Sequence, residues 1–172
     1  EEAQMIRALA EHSREKEYRL RICALGRALK KDAETILDTG VSDLHLHLRI
    51  EPGLAGSALD QTLNRLLPVK DFIRDRSPGA SLCLIMLDIG RSDRATLEHC
   101  VGFCSAQGID MVSLPDTSGI MAPDQVADIL GAVCPLSGKT KVSVHCHNDM
   151  GLANANSYMG VAAGGDVLEA SV

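Results

Sequence analysis

The chain has 172 residues, of which 45% are hydrophobic and 23% charged, a composition typical of a folded domain with its own core. Its 17 Lys and Arg and 23 Asp and Glu give a formal net charge of −6, and it has no Trp, two Tyr and two Phe. The acidic balance and the few aromatic rings argue against a nucleic-acid or anionic-membrane surface. We therefore expect small molecules as partners, together with a second copy of the chain in a homodimer.

The six cysteines form no C-x-x-C pair, and no secretory leader or apolar run of the ~20 residues that a membrane span needs accompanies them. They predict free thiols in a reducing compartment, and we expect the protein to be cytoplasmic. Cys100 and Cys104, which come after His99, are four residues apart and could lie on one helical face beside a metal ion. Burial of that helical face in the core is the preferred interpretation.

Strand-like and helix-like segments alternate along the chain. Helices are predicted over 1–15, 31–39, 57–76, 94–107, 120–133 and 152–163, and strands over 18–28, 43–51, 81–88, 110–117, 141–151 and 166–172. Pro68 is expected to kink or break the third helix. This alternation predicts a parallel sheet, either open and doubly wound or closed as a barrel.

Two features favour the barrel over a nucleotide-binding sheet. No G-x-G-x-x-G or G-x-x-x-x-G-K-[ST] loop follows any predicted strand. Polar side chains instead stand at the carboxyl ends of several strands, where barrel enzymes assemble their sites. Because a complete (β/α)8 barrel takes about 250 residues, we expect residues 1–172 to be a partial catalytic barrel domain. Its first strand or strands and the segment after the eighth strand are expected to lie outside this sequence.

The predicted strand 43–51, DLHLHLRIE, alternates strictly between apolar and polar side chains. His45 and His47 therefore project from one face, opposite the leucines. A second metal pair is one interpretation of this segment. An anion-binding or hydrogen-bonded polar lining of the barrel is preferred.

The predicted strands 81–88 and 110–117 end in Asp88, Asp116 and Thr117, and Arg91 follows on a loop. The carboxylates could cap loops or begin helices, as Asp often does. Arg27 and Arg91 could pair with these acids on the rim of the barrel. For Thr117, a structural role and a substrate contact both remain open.

The predicted strand 141–151, KVSVHCHNDMG, places His145 and His147 on one face, two residues apart. This spacing suits one metal ion, and neutral imidazoles are ligands for Zn, Mn, Fe or Co. A tight site would need one or two further ligands from elsewhere. Two histidines held by hydrogen bonds are the alternative.

Four segments resemble the pyruvate carboxyltransferase-like, or hydroxymethylglutaryl-CoA lyase-like, metal enzymes, which include the isopropylmalate, homocitrate and citramalate synthases. They are RICALGRALKKD (21–32), DIGRSD (88–93), LPDTSGIMAPDQV (114–126) and VHCHNDMGLANANS (144–157). The resemblance implies a (β/α)8 barrel in which His145 and His147 hold a divalent metal: Mg, Mn, Zn or Co. In the family an aspartate from the first strand and an asparagine after the eighth complete the ligand set.

The resemblance also implies a reaction, the Claisen condensation of acetyl-CoA, as co-substrate, with a 2-keto acid that is chelated by the metal. From the segments that resemble the family we assign catalysis to Thr117, Arg91 and Asp88, and substrate binding to Thr117 and Arg27. His45 and His47, which are unusual for the family, are added to the substrate-binding residues because they line the barrel. A lyase or aldolase running the reverse chemistry, a metal-dependent hydrolase and an inactive packing unit are the alternatives.

Two positions depart from the family pattern. Leu87 precedes Asp88 where the family usually has Glu, and Glu51-Pro52-Gly53 replaces a strand end that normally carries Ser or Thr. These two changes leave open the identity of the keto acid and whether the reaction is the Claisen condensation.

Overall fold

Each strand of the sheet lies beside the strand that follows it in the chain. The computed structural model describes residues 2–17, 21–51, 53–86 and 88–170. Their six strands pair in parallel in the order β1 to β6. The strands are β1 (Cys23–Arg27), β2 (Asp43–Leu48), β3 (Ser81–Met86), β4 (Met111–Asp116), β5 (Lys141–Cys146) and β6 (Val167–Glu169). A doubly wound sheet reverses its strand order part-way, so this unbroken order confirms the prediction of a partial barrel.

Seven helices alternate with these strands in the described residues. They are α1 (Glu2–Glu15), α2 (Lys30–Leu37), α3 (Gly56–Asn64), α4 (Leu67–Arg76), α5 (Arg94–Ala106), α6 (Pro123–Val133) and α7 (Ala153–Ala162), and 3-10 turns cover Ile89–Arg91 and Cys134–Leu136. Pro68 lies in the first turn of α4, so the helix predicted over 57–76 is divided in two. Proline suits a first turn because its missing N–H has no helical partner there.

The observed strands are shorter than predicted, mainly at their carboxyl ends, where the chain leaves the ladder to form loops. The strand predicted over 18–28 covers only Cys23–Arg27, and residues 18–20 lie outside the described part. The strand predicted over 166–172 covers Val167–Glu169, with 171 and 172 outside the described part. Leu87 and Pro52, which belong to the two departures from the family pattern, also lie outside it.

The hydrophobic core lies between the outer face of the sheet and the helices. In β2 the leucines Leu44, Leu46 and Leu48 are buried, while the alternating polar positions are only partly buried. In β5 Val142 and Val144 are fully buried. The expected arrangement, with apolar side chains facing the helices and polar ones facing inward, is therefore confirmed.

Three of the six cysteines are small core residues, and all six are free thiols. Cys83, Cys100 and Cys104 are buried, and none of the six forms a disulfide. Burial raises the pKa of the Cys100 and Cys104 thiols to about 12. The core interpretation of this pair is confirmed, because both side chains face the interior from α5.

The described part of the chain contains no helix that is both long and apolar enough to cross a bilayer.

The packing of α7 against β5 depends on Gly160. A Cβ atom at this position would lie 2.8 Å from Val144 Cγ1 and 3.0 Å from Cγ2. We expect Gly160→Ala to lower the free energy of unfolding by about 1–3 kcal/mol, because the added methyl group overpacks a closed contact. Urea denaturation measures the effect.

Gly131 in α6 supplies a matched control, because a Cβ atom there would meet nothing within 4 Å. Gly131→Ala is expected to raise the free energy of unfolding by about 0.5–1 kcal/mol through helix propensity alone. Equal stability changes in the two variants would contradict the packing argument.

Candidate metal and substrate site

The polar side chains predicted to line the barrel meet in a cavity of about 220 Å³ at the carboxyl end of the inner sheet face. Its wall consists of Leu25, His45, His47, Ile85, Ser113, Pro115, Thr117, His145, His147 and Glu169. The two histidine pairs, predicted separately on β2 and β5, therefore face one space. β4, with the loop after it, and β6 contribute the remaining polar groups: Ser113, Thr117 and Glu169.

His145 is the penultimate residue of β5, and His147 directly follows the last residue of the strand, Cys146. Their ring centroids lie 5.1 Å apart with the ring planes at 75°. The His147 main-chain N–H donates to the Asp116 carbonyl at 3.2 Å, which ties the histidine to the end of β4. The backbone at this position is therefore anchored, as a ligand residue requires.

The chemistry of this pair fits two ligands of one divalent metal. His145 Nδ1 is buried and has no hydrogen-bond partner among the described residues. This observation disfavours the alternative of two histidines held by hydrogen bonds. Across residues 2–17, 21–51, 53–86 and 88–170, no set of three His, Cys, Asp or Glu side chains is arranged to hold an ion. Any further ligands would come from substrate, water or other parts of the protein.

Thr117 lines the cavity and is held by the loop that follows β3. The main-chain N–H of Asp88 donates to Thr117 Oγ1 at 3.2 Å. Since the Thr117 oxygen accepts this hydrogen bond, the hydroxyl can donate a hydrogen bond of its own to a ligand in the cavity.

Asp88 and Arg91 stand behind Thr117 and do not line the cavity. Asp88 Oδ2 accepts from Ser118 Oγ at 2.6 Å and pairs with Arg91 Nε at 3.2 Å. The backbone of Asp88 is left-handed, with φ 58°, a conformation that Asp and Asn adopt more readily than other residues except glycine. The structure thus shows the rim pairing considered for Arg91, and the catalytic assignment of the two residues stays a prediction.

Asp116 shapes the loop that carries Thr117. Its carboxylate is fully buried and accepts the main-chain N–H groups of Ile120 at 3.2 Å and Met121 at 3.1 Å. The buried Asn156 of α7 donates from Nδ2 to the Met121 carbonyl at 2.8 Å. The loop-capping interpretation of Asp116 is confirmed.

The proposed substrate-binding residues divide into two groups. His45 and His47 line the cavity, and burial lowers the pKa of both imidazoles, so they are neutral at neutral pH. Arg27 instead forms a bidentate pair with Asp32 of α2, with Nε to Oδ2 at 2.8 Å and Nη2 to Oδ1 at 3.0 Å. Arg27 would have to release Asp32 to reach a substrate.

The whole chain, residues 1–172, matches the family model described as HMGL-like. The chain belongs to the HMGL-like family. It is 33% identical to 2-isopropylmalate synthase of Sulfolobus acidocaldarius over 83% of the chain, and 30% identical to the probable 2-isopropylmalate synthase of Methanopyrus kandleri over 99%. It spans 38% and 34% of the lengths of these two relatives.

Solved structures agree on the fold of this HMGL-like chain. Hydroxymethylglutaryl-CoA lyase from Pseudomonas aeruginosa superposes with a TM-score of 0.74, at 22% identity, over 89% of this chain and 53% of that chain. At this identity the likeness shows the fold alone. Together with the family match, it confirms the resemblance inferred from the sequence motifs.

The HMGL-like chain also places two polar residues at the site that the sequence analysis did not single out. Ser143 Oγ donates to Glu169 Oε1 at 2.7 Å, and Glu169 lines the cavity beside His145. The sequence did carry one signal for Glu169, because alternation along the last predicted strand places its side chain on the inward face. The sequence could not predict the register of this strand against β5, and that register decides that Glu169 lies beside His145.

A second and wider cavity of about 390 Å³ adjoins the first. His145, His147 and Glu169 line both cavities, and the amino-terminal end of α7 closes the second one with Ala153, Asn154 and Ser157. Asn148 Oδ1 accepts from the Ala153 N–H at 3.1 Å and caps this helix. The two histidines therefore stand where two ligand-sized spaces meet.

Proposed function

We propose that this chain supplies the metal-binding and acceptor-binding part of an enzyme that condenses acetyl-CoA with a 2-keto acid. The observation that carries the proposal is the convergence of His145, His147 and Thr117 on one cavity. The names of the relatives support a synthase, since one is called 2-isopropylmalate synthase and the other probable 2-isopropylmalate synthase.

His145 and His147 would hold a divalent metal, Mg, Mn, Zn or Co, by their imidazole nitrogens. When bound, such a metal polarises the carbonyl of a chelated 2-keto acid. The Thr117 oxygen accepts a hydrogen bond from the Asp88 N–H, and the Thr117 hydroxyl donates a hydrogen bond to an oxygen of the keto acid. His45 and His47 offer neutral donors and acceptors to the rest of the acceptor molecule.

The adjoining cavity supports a reaction between two substrates. One ligand in the 220 Å³ cavity and another in the 390 Å³ cavity would meet at the paired histidines. This arrangement suits bond formation between a chelated keto acid and the acetyl group of acetyl-CoA, because it holds both reactants beside the same groups.

The free thiols support a reducing compartment, in keeping with the proposed cytoplasmic location.

The test is direct detection of product. The chain is incubated with acetyl-CoA, Mg or Mn, and one acceptor at a time from pyruvate, 2-ketoisovalerate, 2-ketoglutarate and glyoxylate. Mass spectrometry then measures free CoA and the condensed acid, with a reaction lacking acceptor as control. We expect equal amounts of CoA and condensed acid with at least one acceptor.

Release of CoA without a condensed acid would indicate hydrolysis and contradict the proposal. Incubation of the condensed acid with CoA tests the reverse direction, and faster cleavage than synthesis would favour a lyase. Because the proposal assigns only the metal-binding and acceptor-binding part of the enzyme to this chain, a chain that forms no product is tested by calorimetry with Mn²⁺ and each acceptor. A folded chain that binds neither the metal nor any acceptor would contradict the proposal.

A further inference from the structure

We propose that Glu169 is a positioning residue that holds the proton of His145 on Nδ1 and so leaves the Nε2 lone pair for a ligand. The inference rests on the proposed function in one respect, since the ligand it serves is the metal at His145 and His147. Glu169 lies outside the four segments that resemble the family, the last of which ends at Ser157.

The strand register brings the two side chains together. β5 and β6 are parallel, and His145 is the Cα partner of Glu169. Ser143 lies two residues before His145 and therefore faces the same side of the sheet. Paired positions on neighbouring strands are fixed by the backbone ladder, so Glu169 stands beside His145 as a consequence of the fold.

Ser143 holds the carboxylate in place. Its side chain is fully buried, and its hydroxyl donates to Glu169 Oε1 at 2.7 Å. This bond uses one carboxylate oxygen and leaves Oε2 directed towards His145, 3.8 Å from Nδ1. The distance exceeds that of a hydrogen bond, about 2.9 Å, and a small side-chain rotation closes it.

His145 Nδ1 needs such a partner. The atom is buried and has no hydrogen bond among the described residues, a state that costs free energy for any polar group. Glu169 is the one carboxylate among the described residues that line the 220 Å³ cavity. A carboxylate accepts from N–H, so a closed contact requires the proton on Nδ1.

The consequence for chemistry follows from the two ring nitrogens. With Nδ1 protonated, Nε2 carries the lone pair, and the negative carboxylate makes that lone pair a stronger donor. Outer carboxylate partners of this kind typically change metal affinity by about 10–100-fold. Glu169 would therefore act through His145 and need not touch the metal.

The first measurement is the tautomer of His145 in the metal-free chain, by long-range ¹H–¹⁵N NMR at pH 8. We expect the proton on Nδ1 in the native chain and its transfer towards Nε2 in Glu169→Ala. Glu169→Gln keeps an acceptor oxygen and is expected to retain the Nδ1 proton. An unchanged tautomer in Glu169→Ala would overturn the inference.

The second measurement is the dissociation constant for Mn²⁺ or Zn²⁺ by calorimetry. We expect Glu169→Ala to weaken binding by about 10–100-fold, Glu169→Gln to weaken it less, and Ser143→Ala to fall between the native chain and Glu169→Ala. Glu98→Ala serves as control, because Glu98 pairs with Arg94 on the exposed face of α5. An equal loss in Glu98→Ala, or none in Glu169→Ala, would overturn the inference.

The proposed metal site and the proposed role of Glu169 are distinguished by different experimental outcomes. If His145→Ala leaves metal binding unchanged, the metal site is wrong, and the tautomer measurement still decides the pairing of Glu169 with His145. If His145→Ala abolishes binding while Glu169→Ala leaves the dissociation constant unaltered, the metal site stands and the role of Glu169 is refuted.

Discussion

His147→Ala is expected to weaken divalent-metal binding by at least about 100-fold, more than the loss of an outer partner typically causes. The reason is that His147 would be one of only two described protein ligands, and a single imidazole does not hold a divalent ion tightly. The main-chain bond from His147 to the Asp116 carbonyl does not involve the side chain, so the end of β5 is expected to stay in place.

The metal content of dialysed protein, measured by inductively coupled plasma mass spectrometry, tests this prediction. His99→Ala is the matched control, because His99 is an exposed imidazole on α5 that contacts Asp60 at 2.7 Å, away from the cavity. The same metal content in the native chain and His147→Ala would refute the ligand assignment. A parallel loss in His99→Ala would point to non-specific binding by surface imidazoles.

Thr117→Val is expected to lower kcat/KM for the condensation by about 10²–10³, the effect typical of removing one hydrogen-bond donor from a developing oxyanion. Valine has the shape of threonine and lacks the hydroxyl, so the change removes the proposed contact with the keto acid. Thr117→Ser keeps the hydroxyl and is expected to retain most of the activity.

Steady-state kinetics with the acceptor identified by mass spectrometry provide the measurement. Thr35→Val is the matched control, because the Thr35 hydroxyl donates only to the Lys31 carbonyl within α2, at 2.9 Å. Thr117→Val also removes the acceptor of the Asp88 N–H, so NMR shifts around Asp88 check that its loop is intact. Full activity in Thr117→Val would exclude the hydroxyl from the reaction.

Most of what could be predicted about the site came from the alternation of side chains, with a period of two residues, along each strand. Because side chains alternate between faces, His145 and His147 had to share a side of β5, and His45 and His47 a side of β2. Whether each pair faced inward followed from the apolar residues between them, which required burial under helices. The cavity confirms both placements.

Arg27 illustrates what such a pattern leaves open. It belongs to the inward set of β1 by alternation, yet its long side chain turns to Asp32 in the next helix. Asp88 and Arg91 similarly engage each other behind Thr117. A flexible charged side chain has several partners within reach, and a local sequence does not rank them.

By itself the sequence determined that strands and helices alternate to form a parallel sheet and that the third predicted helix is divided at Pro68. It also determined that each histidine pair lies on the inward face of its strand. Only the tertiary structure decided that both pairs border one cavity, that Arg27 turns away, and that Glu169 stands beside His145. The reason is physical: alternation is set by the local backbone, whereas contacts between strands depend on register and sheet curvature. Those depend on how the whole core packs.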